Sequence, residues 1–200
     1  MNAIVPILSI TASYLLGAVP FGLLFSRLFS NVDVRTVGSG NIGATNVLRA
    51  AGKKAAILTL LADTLKGFIP VLFVRSLLHD DSVMVLAGAA AILGHNFPIY
   101  LKLKGGKGVA TSYGVILAVT PWLGLTCLII WLVMAIIFRY SSLSALVSFA
   151  CYPLLTFLMN SPPSRPHGVL SLFIFGLIYY RHRENIKRLL AGSEPKIGSK

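Results

Sequence analysis

The stretch GVATSYGVILAVTPWLGLTCLIIWLVMAIIFR, residues 108–139, carries no charged side chain between Gly108 and Phe138. A helix crossing a hydrocarbon core of roughly 30 Å needs about 20 apolar residues. This run is too long for one straight crossing and divides at Thr120-Pro121. Proline lacks the N–H that a helix interior requires. It either kinks one helix over 108–138 or turns the chain between two helices. The rest of the sequence decides between these readings through its charges. Apolar runs lie near 4–26, 55–74, 83–101, 108–119, 122–138, 144–160 and 167–181. With a turn at Pro121 there are seven spans. Arg27, Arg35, Arg49, Lys53, Lys54, Lys102, Lys104, Lys107, Arg139, Arg181, Arg183, Lys187, Arg188, Lys196 and Lys200 then share one side, leaving Arg75 and Arg165 opposite and Lys66 within a span. With a kink, the cations divide almost evenly. Lys and Arg concentrate in cytoplasmic loops, so the sequence predicts seven transmembrane helices, amino terminus outside and carboxyl terminus in the cytoplasm.

Composition supports this all-α integral membrane reading. Hydrophobic residues make up 56% and charged residues 12% of the 200, against about 25% charged in soluble chains. Mean hydropathy is +0.79. Disorder, fibrous rods and disulfide scaffolds are excluded; Cys127 and Cys151 both sit in apolar runs and read as buried thiols. No internal repeat is visible, and residues 1–200 read as one multi-pass domain without a cleavable leader. The net charge of +12 is explained first by the anionic cytoplasmic leaflet. The clustered part of it points to anionic substrates, with nucleic acid not expected.

Gly38-Ser39-Gly40-Asn41-Ile42-Gly43-Ala44-Thr45-Asn46, with Arg49 beyond, matches G-x-G-x-x-G. A dinucleotide meaning needs a βαβ unit, for which flanking spans leave no room. Glycines still let successive N–H groups converge on an anion, and a helix starting near Ala44 adds its positive end. Ser39, Asn41, Thr45 and Asn46 supply polar donors. A flexible linker is the alternative. The second cluster is Gly94-His95-Asn96-Phe97-Pro98 followed by Lys102, Lys104-Gly105-Gly106-Lys107-Gly108. Its lysines and glycines suit a multiply charged oxyanion, or serve as a membrane anchor. Within the second span, Asp63 and Lys66 stand one turn apart and can pair. Ionisable groups there are costly and usually functional. His182 and Asn185 share a helix face at the last span's end, and Tyr140-Ser141-Ser142 is a further polar knot.

No histidine has an Asp five residues on, and no H-E-x-x-H, C-x-x-C or Asp-rich metal motif occurs. A cofactor-free site of cations, amides and hydroxyls, with no metal, is expected. Two basic glycine-containing loops suit two phosphates, and apolar helices suit a long acyl tail.

These motifs, in this order, resemble the bacterial acyl-phosphate-dependent glycerol-3-phosphate acyltransferases. The resemblance also takes in Ala62-Asp63-x-x-Lys66-Gly67 and Arg139-Tyr140-Ser141-Ser142 and covers essentially the whole chain. It implies a seven-span enzyme of the bacterial inner membrane with its active site on the cytoplasmic side. That enzyme moves a fatty acyl group from acyl phosphate to the 1-hydroxyl of glycerol 3-phosphate, the first acylation of phospholipid biosynthesis. Lysophosphatidic acid and inorganic phosphate are the products, membrane lipid is a partner, and an upstream acyl-phosphate-forming enzyme is implied. The catalytic candidates are His182, Asn185 and Lys107. The substrate-binding candidates are Ser39, Gly40, Asn41, Gly43, Thr45, Asn46, Arg49, Asp63, Lys66, His95, Asn96, Lys104, Gly105, Gly106 and Ser142. Arg49, Lys104 and His182 are assigned to glycerol 3-phosphate, and the first glycine loop with Lys107 to the donor phosphate. The two assignments are interchangeable. The base is His182 or a substrate phosphate oxygen. A transporter of phosphorylated solutes and a non-catalytic lipid-binding subunit are the competing classes.

Overall fold

A computed structural model of the chain describes residues 3–159 and 164–198. Among these residues the regular structure is helical, without strands, and falls into two compact units that divide after Ala118. The end of the sixth expected span at 160 and the cation Lys200 lie outside the described residues.

In the first unit, α1 (Ile4–Gly17) and α2 (Phe21–Ser30) replace the single helix expected over 4–26. Pro20 is the reason. It has no N–H to continue the ladder and biases the residue before it away from helical angles. The long helix α3 (Ala44–Leu78) starts where the glycine loop ends. It is interrupted at Gly52, whose φ of 83° and ψ of −179° belong to a region reserved for glycine. The short leading segment thus carries Arg49 at an angle of its own, and the expected span 55–74 lies in the longer segment. On that segment Ile57, Leu61, Leu65, Ile69 and Phe73 recur every fourth residue and are exposed, while Thr59, Asp63 and Lys66 are buried. A helix with its apolar stripe outward and its ions inward is built for hydrocarbon, not water.

α4 (Asp81–Asn96) begins under a side-chain cap, Asp80 accepting from Ser82 N at 2.8 Å and Val83 N at 3.1 Å. It ends ahead of Pro98, and the expected span to 101 finishes in a 3-10 turn, Ile99–Leu101. α1 lies against α4 with small residues at the contact. A Cβ on Gly17 would meet the Ala91 backbone, and one on Gly94 would meet the Tyr14 backbone. Close approach of this kind is a usual device of helices in lipid. α5 (Val109–Val119) follows the lysine–glycine loop.

The second unit contains α6 (Pro121–Phe138), α7 (Ser141–Met159), α8 (Arg165–Arg181) and α9 (Arg183–Leu190). Thr120, at φ −139° and ψ 83°, leaves the helical region, so α5 and α6 are separate helices with Pro121 at the favoured first position of α6. Five stretches are long and apolar enough to cross a membrane: Ile4–Ser30, Ala44–Leu78, Asp81–Leu101, Pro121–Phe138 and Ser141–Met159. α5, with 11 residues, and α8, with 17, fall short of that length.

Candidate functional site

The first glycine loop is held by a buried amide. Asn46 Nδ2 donates to the carbonyl oxygens of Val34 (3.0 Å), Val37 (2.9 Å) and Asn41 (3.0 Å), and its Oδ1 accepts from Ser39 N at 3.1 Å. Ile42 and Val34 sink into an apolar cluster with Leu23, Val47, Ala55 and Ala56. Asn46, expected among the substrate-binding residues, is buried and shapes the loop through these bonds. Asp33 braces its entrance, pairing with Arg35 at 2.6 Å and Arg27 at 3.0 Å. The hydrogen bond from Arg35 is the main force holding the Asp33 carboxyl well below the usual range. At the rim, Ser39 and Thr45 are exposed, and Gly40, Asn41, Gly43 and Arg49 are partly so. The α3 amino terminus lies at this rim, where unsatisfied N–H groups carry partial positive charge.

The second loop is anchored by its own amides. Gly105 N donates to Asn96 O (3.2 Å), Gly106 N to His95 O (3.0 Å), Leu103 N to Pro98 O (3.0 Å) and Lys104 N to Leu101 O (3.1 Å). These N–H groups are committed to α4 and the 3-10 turn. The groups of this loop that could meet an anion are the Lys104 and Lys107 side chains and the start of α5. Gly108, at φ 82°, turns the chain into that helix. The side chains of Asn96, Thr111 and Ser112 are fully buried at this turn and make no hydrogen bond. Thr111 and Ser112 had no sequence signal beyond their hydroxyls, since both sit in an apolar run.

Asp63 and Lys66 do pair, Nζ to Oδ1 at 2.7 Å, both almost completely buried. Lys66 Nζ also donates to Val19 O at 2.8 Å, in the break between α1 and α2. Asp63 Oδ1 lies 3.7 Å from His95 Nδ1. The three side chains, expected among the substrate-binding residues, are buried together, with the Asp63 carboxylate between Lys66 and His95.

In the second unit, His182 joins α8 to α9 and is 3% exposed; its Nδ1 lies 2.8 Å from Ile178 O. The carbonyl is an acceptor only, so Nδ1 carries a proton, and in the neutral form of the ring the lone pair is at Nε2. Asn185, one turn on, and Ser142, in the first turn of α7, converge on a residue the sequence reading passed over. Glu194 Oε1 accepts from Ser142 Oγ and from Asn185 Nδ2, both at 2.6 Å, while Oε2 accepts from Arg188 Nε at 2.7 Å. Burial alone would raise this carboxyl; the hydrogen bonds from Ser142, Asn185 and Arg188 outweigh it and hold it below the ordinary glutamate range. The tail carrying Glu194 is further tied down by Ile197 N donating to Arg139 O at 2.6 Å.

Of the other acids, Glu184 pairs with Lys187 and Arg183, and Asp80 caps α4. Among the described residues no carboxylate lies within ion-pair distance of Arg49 or Lys104, and no cluster of three potential metal ligands occurs.

The fold and these loops define a class: over its described residues, a helical protein with helices long and apolar enough to cross a membrane and with basic, glycine-rich loops. The sequence profile of the glycerol-3-phosphate acyltransferase family matches residues 7–192, and the chain belongs to that family. A glycerol-3-phosphate acyltransferase of Dinoroseobacter shibae is 52% identical over 94% of this chain and 91% of its own. One from Dechloromonas aromatica is 48% identical over 96% of each. The crystal structure of PlsY, an integral membrane glycerol 3-phosphate acyltransferase, in its glycerol 3-phosphate form is 42% identical. It covers 96% of both chains with a TM-score of 0.91. The lysophosphatidic acid form gives 0.89 at 41% identity.

Proposed function

We propose that this chain acylates the 1-hydroxyl of glycerol 3-phosphate with acyl phosphate as donor, in the bacterial inner membrane and on its cytoplasmic side. The observation that carries the anion part is the uncompensated Arg49 and Lys104 beside two glycine loops. Family membership supplies the acyl transfer. Under this reading α5 and α8 also cross, giving seven spans with the amino terminus outside. The distribution of cations supports that orientation.

The chemistry asks little of an acid. Acyl phosphate is a mixed anhydride whose phosphate leaves as a stable anion. The substrate hydroxyl oxygen bonds to the acyl carbon, the carbon–oxygen bond to phosphate breaks, and the hydroxyl proton passes to a base. In the second unit His182 Nε2 is the protein's candidate for that base, with a substrate phosphate oxygen as the alternative. In the first unit Arg49, Lys104, Lys107 and the N–H groups at the α3 amino terminus bind phosphate and hold the reactants close. Asn46, Asp63, Lys66 and His95 hold those loops in shape, while Ser39, Gly40, Asn41, Gly43 and Thr45 form the binding rim.

Proteoliposomes loaded with labelled glycerol 3-phosphate and supplied with acyl phosphate separate this from transport. An acyltransferase converts the label into a lipid; release of unchanged glycerol 3-phosphate without lipid product would overturn the proposal.

A further inference from the structure

Two helices, α3 and α4, and one loop meet around a buried imidazole in the first unit. We infer that Asp63 and His95 act together as positioning residues for the lysine–glycine loop. Asp63 fixes the imidazole, and the imidazole sets the path of Gly106 and so the placement of Lys104 and Lys107. The inference rests on the reading of this loop as a phosphate site. It adds that the charged residues in α3 act on phosphate binding at second hand, through His95.

The geometry is specific. A methyl group built on Gly106 would fall on the His95 imidazole, and its three nearest neighbours are all atoms of that ring. The loop backbone therefore lies close against the Nε2 edge of the imidazole. On its other side the ring approaches Asp63, Nδ1 to Oδ1 at 3.7 Å, with His95 4% and Asp63 2% exposed. The loop is bonded to the same turn of α4, through Gly106 N to His95 O and Gly105 N to Asn96 O. Any rotation of the ring thus meets the loop, and any shift of α4 carries the loop with it. Asp63 is itself held by Lys66, whose ammonium is shared with Val19 O. The result is a chain of packed contacts from the break between α1 and α2 to the two lysines. A misplacement near 1 Å in a binding group is enough to cost on the order of a hundredfold in rate, so a rigid support of this kind has a kinetic consequence.

The test is a pair of mutant cycles on the full-length purified protein, reading kcat and the KM of each phosphate-bearing substrate, with melting temperature as the folding control. Lys104→Ala first identifies which KM depends on the loop. Gly106→Ala should raise that KM by about tenfold or more with a smaller effect on kcat. In a His95→Ala background the added methyl enters the space the ring vacated, and the same change should cost less than about twofold. Asp63→Asn should raise the same KM, and Asp63→Asn/His95→Ala should be no worse than His95→Ala alone. Additive effects in the Gly106–His95 cycle, or an Asp63→Asn variant with lower melting temperature and unchanged KM, overturn the inference. Should Asp63→Asn fail to fold because Lys66 is left unpaired, the Gly106–His95 cycle decides alone. Unchanged KM values in Lys104→Ala overturn the phosphate reading of the loop and the inference with it. A Lys104 effect with additive His95 and Gly106 effects overturns the inference only.

Discussion

Replacing Glu194 by Gln should unlock the carboxyl-terminal tail. The native carboxylate accepts from Ser142 Oγ, Asn185 Nδ2 and Arg188 Nε at 2.6, 2.6 and 2.7 Å, and its side chain is 6% exposed. Hydrogen bonds to a charged group contribute about 1.5–3 kcal/mol each. Gln keeps the shape and one acceptor oxygen but must turn its NH2 toward one of these donors, which removes at least one bond and the Arg188 ion pair. The expected cost is about 2–4 kcal/mol. For a chain of this size that lowers the melting temperature by about 5–15 °C. Cys127 is buried and Cys151 partly so, in the same unit as Glu194, so a thiol-reactive dye reports the transition without added labels. The effect has a defined pH dependence. The folded pKa lies below the unfolded one, so the carboxylate's contribution is present above the ordinary glutamate value, about 4.3. It is lost as pH falls through the folded pKa. The gap between the two proteins should therefore be widest near neutrality and narrow in acid. A Gln variant melting within about 1 °C of the native protein at pH 7 would show that the tail contacts contribute nothing.

Gly52→Ala should destabilise the protein by about 1–3 kcal/mol through backbone strain alone, because nothing lies within 4 Å of the added methyl; the fraction remaining monodisperse after heating measures it. Lys66→Met should lower stability by about 3–5 kcal/mol by stranding the Asp63 carboxylate, and Asp63→Leu/Lys66→Met should recover most of that loss in the same assay. Arg49→Ala should raise a substrate KM by roughly tenfold or more with its melting temperature unchanged. Unaltered kinetics for both substrates would take Arg49 out of the site.

Much of this fold was legible because hydrocarbon imposes simple rules. Uncharged runs marked the helices, and Thr120-Pro121 divided α5 from α6 as a proline at a first helical position should. The i, i+3 spacing of Asp63 and Lys66 gave their ion pair. Pro20 carries the same local signal as Pro121 but sits in an apolar run, 4–26, of ordinary span length, so length alone gives no reason to divide it. Gly52 was hidden for another reason: a lone glycine in a helical pattern is usually tolerated, and only its positive φ reveals the kink. Glu194 lay in a polar tail with no periodicity, and its donors come from residues 142, 185 and 188, a convergence that only folding creates. Asn46 and Ser39 stood out as polar donors, yet which of them faces solvent and which pins the loop depends on burial. Spacing does not encode that.

Under the proposed function, these loops hold a compact acyl phosphate while its acyl group passes to glycerol 3-phosphate. The most direct test incubates the purified chain with labelled glycerol 3-phosphate and acyl phosphate in excess chelator, beside a parallel reaction with acyl-coenzyme A at the same concentration. The account predicts labelled lysophosphatidic acid and inorganic phosphate in equal amounts from acyl phosphate, and none from acyl-coenzyme A. Comparable product from acyl-coenzyme A, or no lipid product from a well-folded protein, would contradict it.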